Sequence, residues 1–259
     1  MRKPDPAGST GAVWVIAHRG ASRDCPENTI AAFDEALRQG ADGIELDIQL
    51  SRDGVPVVYH DKTLTRAGGG RRRVSRTDLA ELRRLDAGSR LDRRFAGQHI
   101  PTLEEVLRRY GRRTRLFVEI KTREGRSGRE RHSELASSAA RLVEKMGLQR
   151  NVFLLSFDQD VLRAAAEAAP AVRRVLNLRP PRRPGRALRE LIPTLAALSA
   201  DIRSLTPAFA DAVRAEGRPL YAYTCNTPSR VERALAARVV GVMSDRPEWL
   251  AGRLASRRD

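Results

Sequence analysis

The chain of 259 residues has only two cysteines, Cys25 and Cys225. That is too few for a disulfide framework or a zinc knuckle, so both read as reduced, structural thiols. No apolar run approaches the ~18–20 residues that cross a bilayer. The opening stretch, MRKPDPAGSTGAVWVIAHRG, puts Pro, Asp and Gly where a signal peptide needs continuous apolar residues, and the expected location is cytoplasmic. Lysine is scarce: Lys3, Lys62, Lys121 and Lys145 are the whole set, and arginine carries the rest of the +16 net charge. The arginines fall in short clusters, such as Arg71-Arg72-Arg73, Arg93-Arg94 and Arg182-Arg183. No aromatic residues interleave with them to stack bases, and no helix-turn-helix or finger spacing appears, which excludes a specific nucleic-acid partner. The basic field would still draw small anionic substrates and, weakly, anionic membrane surfaces. There is no internal repeat, and nothing speaks to oligomeric state.

Hydrophobic residues make up 41% and are evenly spread, so the chain reads as one globular domain over residues 1–259. Short β-rich runs end in polar residues: VWVIAHRG, DGIELDIQ, VPVVYHD, RLFVEIK, VFLLSFD, RRVLNL, PLYAYTCN and VVGVMSD. Helical patterns lie between several of them, the first being NTIAAFDEALRQG, with Asn28 or Thr29 as cap, Gly40 as stop, and Ile30, Phe33 and Leu37 facing the sheet. About eight strands alternating with helices in ~250 residues predict an α/β fold, a TIM-like (β/α)8 barrel. A doubly wound open sheet would carry a Gly-rich phosphate loop after its first strand, and HRGASRDCPEN is not one. Residues 62–100 break the alternation with a glycine triplet and a basic run. They read as a small insertion after the third strand, above the barrel mouth, either selecting substrate or lying solvated without a role. RPPRRPG (179–185) reads as a loop.

Strand side chains alternate, so Glu45, Asp47 and Gln49 share one face of ELDIQ, and Glu119 and Lys121 share one face of LFVEIK. The opposite faces are aliphatic and must pack on helices, so the acids point toward the barrel axis. Burying them without a partner costs several kcal/mol per ion. A divalent cation held by Glu45, Asp47 and Glu119 resolves the imbalance, and all-oxygen donors favour Mg²⁺ or Ca²⁺ over zinc. Asp53-Gly54 is a two-residue hairpin signal. A turn that tight sets Asp47 opposite His60, their Cβ atoms about 5 Å apart. His18 ends the first strand and Arg19 beside it offers a fork suited to phosphate. Two histidines to move protons, with a cation, Arg19 and Lys121 to offset negative charge, outline a phosphodiester site. His99 and His132 sit in polar, Arg-rich stretches and read as structural; Phe157 and Tyr223 line the mouth or the core.

AHRG (17–20), PENTIAAF (26–33), IELDIQLSRDGVPVVYHD (44–61), IPTLEEVL (100–107), VEIK (118–121), LSFD (155–158) and VMSDRP (242–247) resemble, in order, the motifs of the glycerophosphodiester phosphodiesterase family, over about residues 14–250. The resemblance implies a TIM-like barrel with the insertion after its third strand. It also implies hydrolysis of a small-molecule glycerophosphodiester to glycerol 3-phosphate and an alcohol. By position, Glu45, Asp47 and Glu119 match the metal ligands, His18 and His60 the acid–base pair, and Arg19 and Lys121 the phosphate contacts. YTCN (223–226) stands where the family commonly has Trp-Thr-Val-Asn, a change that bears on the fit of the glycerol or alcohol portion. Which histidine is base, and whether water or the neighbouring glycerol hydroxyl attacks, stay open. Two other readings are compatible with parts of the sequence: a lysophospholipase D acting on lysophospholipids, and a non-catalytic anion- or nucleic-acid-binding protein. The latter leaves the inward acids unexplained.

Overall fold

The computed structural model of the chain describes residues 13–122, 128–178 and 190–256. The RPPRRPG stretch lies outside them. Eight parallel strands close into a barrel: β1 (Trp14–His18), β2 (Gly43–Leu50), β4 (Arg115–Ile120), β5 (Val152–Ser156), β6 (Arg173–Leu178), β7 (Ala197–Asp201), β8 (Leu220–Tyr223) and β9 (Gly241–Ser244). Closure is direct, because β1 pairs in parallel with both β2 and β9. β3 (Pro56–Val58) lies antiparallel on the outer edge of β2.

The barrel expected from sequence is thus present, with two corrections to its strand list. VPVVYHD is a hairpin partner and not a stave, and the stave absent from the expected list is Ala197–Asp201, inside a run of small apolar residues that carries no alternating pattern. The hairpin register also differs from expectation. Ile48 faces Val58 and Gln49 faces Val57, so Asp47 meets Tyr59 and not His60. The cause is the turn: Ser51 N–H donates to the Val55 carbonyl, leaving three loop residues that end in Gly54 at φ +81°. A three-residue loop with glycine in the left-handed region is the bulged hairpin, and it slips the register by one.

Helices cover the outside: α1 (Ile30–Arg38), the single-turn α2 (Leu79–Leu82), α3 (Leu103–Tyr110), α4 (Arg129–Lys145), α5 (Gln159–Ala168), α6 (Pro207–Ala215), α7 (Pro228–Ala236) and α8 (Pro247–Ala255). The cap of α1 is Thr29, whose hydroxyl accepts from Ala32 N–H. α3 begins with a complete Thr102/Glu105 capping box. Ile44, Leu46, Ile48, Leu116, Val118 and Ile120 are buried against these helices, as the aliphatic strand faces require. The insertion at 62–100 packs a small core of its own from Leu64, Ala67, Val74, Leu82 and Ile100 with Val57 and Tyr59.

Candidate active site

Every inward acid named from the strand pattern arrives at the C-terminal mouth of the barrel. Glu45 and Asp47 on β2 and Glu119 on β4 are neighbours because Asp47 pairs with Glu119 in the β2–β4 register. One oxygen from each lies within 4.8 Å of the others. Lys121 Nζ stands 2.7 Å from Asp47 Oδ1 and also pairs with Glu119. Arg19 sits in a left-handed turn at φ 57°, its N–H donating to Glu45 Oε2 at 3.0 Å and its Nε 3.1 Å from Asp47 Oδ2. That turn needs Gly20: a Cβ there would come within 2.7 Å of Ala32.

His18, Arg19, His60, Glu119 and Lys121 line a single cavity of about 850 Å³, together with Phe157 and Tyr223. His60 reaches it in spite of the slipped register. Gln49, third in the inward row after Glu45 and Asp47, donates from Nε2 to the carbonyls of Tyr59 and Asp61 and so holds the backbone on both sides of His60. The ring is then oriented by Asp61, whose Oδ1 lies 2.8 Å from His60 Nδ1. Arg66 clasps Asp61 and Glu27, and Glu27 in turn binds Arg19. The insertion therefore serves the site through Arg66, while none of its described residues lines the main cavity.

His18 has a matching arrangement. Its Nδ1 lies 2.7 Å from Asp245 Oδ1. Asp245 is held by Asn226 Nδ2 and Ser22 Oγ, and its own N–H donates to Asn226 Oδ1. Asn28, expected as a helix cap, instead straddles Asp47: its Nδ2 donates to Asp47 Oδ2 at 2.8 Å and its Oδ1 accepts from Asp47 N–H. Asn28, Asp61, Gln49, Asn226 and Asp245 are not among the site residues expected from sequence. The signal available was their place in the matched motifs, and for Gln49 its place in the inward row.

Charge in the cluster is unbalanced. Burial, then repulsion from Asp47, pushes Glu45 up to about 8. Burial likewise raises Glu119 although Lys121 opposes it. Burial also works against ionised Asp47, but Lys121 and Arg19 outweigh it and hold that carboxyl well below the usual range. Two acids that ionise poorly on their own, with all-oxygen donors converging on one point, fit a hard divalent cation. The two histidines diverge. Burial lowers His60 to about 4, whereas for His18 the charge of Glu45 and the bond to Asp245 overcome burial and raise it. His132 is buried on α4 and His99 is exposed, both away from the cavity.

Residues 18–249 match the profile of the glycerophosphoryl diester phosphodiesterase family. The chain is 36% identical over 244 residues to a glycerophosphodiester phosphodiesterase of Caldanaerobacter subterraneus, covering 91% of this chain and 95% of that one. It is 30% identical to a glycerophosphodiester phosphodiesterase of Bacillus subtilis, covering 91% and 84%. Among solved structures, an Oleispira antarctica phosphodiesterase in complex with the product sn-glycerol-3-phosphate superposes with a TM-score of 0.82 at 29% identity, covering 94% of this chain and 97% of that one.

Proposed function

From the premise that this chain belongs to the glycerophosphoryl diester phosphodiesterase family, we propose that it hydrolyses glycerophosphodiesters to glycerol 3-phosphate and an alcohol at the barrel mouth, within one catalytic domain. The observation that carries the reading is the convergence of Glu45, Asp47 and Glu119 oxygens within 4.8 Å, beside two aspartate-held histidines in one cavity. Glu45, Asp47 and Glu119 are assigned as ligands of one Mg²⁺ or Ca²⁺ ion. Bound there, the cation supplies positive charge against the oxygens of the reacting phosphoryl group. Arg19 and Lys121 add hydrogen-bond donors for the same oxygens and orient the diester.

Proton movement belongs to the histidines. His60, neutral down to about pH 4, is assigned as the base that takes the proton of the attacking hydroxyl, either from water directly or from the glycerol, the latter giving a cyclic phosphate that water then opens to glycerol 3-phosphate. His18, with its pKa raised, is assigned as the acid that protonates the departing alcohol. Asp61 and Asp245 engage Nδ1 of each ring, so both exchange protons through Nε2. The charged side chains Arg19, Lys121, Asp201, Arg203 and Arg230 in the cavity suit a soluble headgroup diester. No described helix is long and apolar enough to cross a membrane. The two free, buried thiols suit the cytoplasmic location expected from sequence.

The test is release of glycerol 3-phosphate from several diesters, after chelation and with Mg²⁺ or Ca²⁺ restored. Restored release is expected with one or both ions. Activity that survives thorough chelation overturns the cation assignment, and no release from any diester overturns the activity.

A further inference from the structure

The cavity has a second wall that the proposed chemistry does not use. In the closed strand order β2 and β4, which carry the acids, stand diametrically across from β7 and β8. The end of β7, the loops following β7 and β8 and the first turn of α7 bring Asp201, Arg203, Ser204, Thr206, Thr224 and Arg230 to that far side. Asp201 is committed to Arg203, accepting from its Nε and Nη2. Arg230 makes no ion pair among the described residues, and its described bond runs from Nη1 to the Thr224 carbonyl at 3.3 Å. The Ser204 hydroxyl is buried without a hydrogen-bond partner. The far wall therefore presents one surplus guanidinium, Arg230, with the Asp201-paired Arg203 at its edge and the Ser204 hydroxyl buried behind them. A cavity of about 850 Å³ also exceeds what a glycerol phosphate alone would fill.

We propose that this wall is an anion subsite, built on Arg230 with Arg203 at its edge, for a phosphate group carried by the leaving alcohol. The proposal rests on the phosphodiesterase reading and deepens it: the preferred substrates are glycerophosphodiesters whose alcohol bears a second phosphate. That phosphate could belong to an inositol phosphate or to a further glycerol phosphate unit, and the chemistry recognised is the same. The aromatic pair Phe157 and Tyr223, with ring centroids 6.2 Å apart in the same cavity, sets the competing outcome, since aromatic faces would favour a quaternary ammonium. The surplus arginine decides against it, because a cationic headgroup would approach like charge.

The experiment compares kcat/KM of the metal-loaded enzyme on glycerophosphocholine, glycerophosphoglycerol, glycerophosphoinositol 4-phosphate and glycerophosphoglycerol phosphate. The expected order is anionic alcohol, then neutral, then cationic, and the two anionic substrates separate the two phosphate sources. Loss of one charge-assisted contact in R230Q should lower the anionic-to-neutral ratio of kcat/KM about tenfold. R230K, which keeps the charge, should recover most of that ratio, and R203Q, which frees Asp201 to offset Arg230, should lower the ratio in the same direction. A choline diester cleaved as well as the anionic ones, or an R230Q ratio equal to that of the unaltered enzyme, overturns the subsite while leaving the phosphodiesterase reading intact. Absence of cleavage of all four diesters overturns both.

Discussion

At the N-terminal end of the barrel the axis is filled by Trp14, Phe117, Phe153 and Tyr221; at the C-terminal end, two to four residues further along the same strands, stand His18, Glu119 and Tyr223. Phe117 and Phe153 stack at 4.8 Å, Trp14 stacks on Tyr221 at 6.3 Å, and Arg115 closes the end with its guanidinium 4.0 Å from the Trp14 ring centroid. Gly43 and Gly241 make room for this plug, since a Cβ on either would come within 3 Å of Phe117 or Tyr221. On β4 only one outward residue, Val118, separates the stacked Phe117 from the acid Glu119. The inward rows are thus apolar and tightly filled below, ionic and open above. Stability and chemistry are kept on opposite ends of one set of strands, which lets the mouth hold buried like charges without the barrel depending on them.

Substitutions at the two ends should separate these properties. The largest effect is expected above: H18A or H60A should lower turnover by ~10²–10⁴-fold. Circular dichroism and the thermal midpoint should stay close to those of the unaltered chain; a variant that unfolds would break the division of labour. Below, F117A should cost about 3–5 kcal/mol of stability, the usual range for a buried aromatic truncated to alanine. Denaturant titration measures this, and the KM of the folded fraction should not move. A smaller effect is expected between the ends. N28G keeps the left-handed backbone of Asn28 while removing the amide that fastens Asp47. Losing a partner that orients a metal ligand typically costs 10–100-fold in affinity or activity. Raised Mg²⁺ should restore most of the turnover, which a folding defect would not allow.

How much of this was legible in the sequence follows from which interactions are local. The inward row Glu45, Asp47, Gln49 and the pair Glu119 and Lys121 were readable because side chains alternate strictly along a strand and the aliphatic face has only one place to go. Both histidines, Arg19 and the three acids were named, and all of them meet at one mouth. The His60 register was misplaced by one because Asp-Gly serves both two- and three-residue turns, and only the Ser51–Val55 bond tells them apart. β7 was missed because Ala197–Asp201 has small side chains and no alternation, not for its length, since β8 and β9 are shorter and were readable. α8 was missed because its start, at Pro247, lies in a stretch read only as a motif end. Asp245 with His18, and Asn28 with Asp47, are partners separated by 227 and 19 residues, and no spacing rule links such positions before the barrel closes.

The smallest expected effect tests whether the mouth really costs stability until its charge is balanced. Glu45 is raised to about 8 in the folded chain, against about 4.5 when exposed. Between those values the folded state holds a proton that the unfolded state has released. The sign follows from linkage: this group's contribution to stability is fully present below about pH 4.5 and is lost as pH rises toward 8. His60 runs the other way. Its lowered pKa means that stability falls as pH drops from about 6.5 toward 4. In chelated protein, thermal midpoints measured from pH 5 to 8.5 should therefore decline on the alkaline side. E45Q, which carries no titrating carboxyl at that position, should flatten the decline. Adding Mg²⁺ or Ca²⁺ should raise the alkaline midpoint of the unaltered chain more than that of E45Q, because a ligand that binds only the folded state stabilises in proportion to its occupancy. Equal alkaline declines in the two proteins would assign the decline to Glu119 and His18, whose pKa values are also raised, and would mean that Glu45 is already balanced within the cluster.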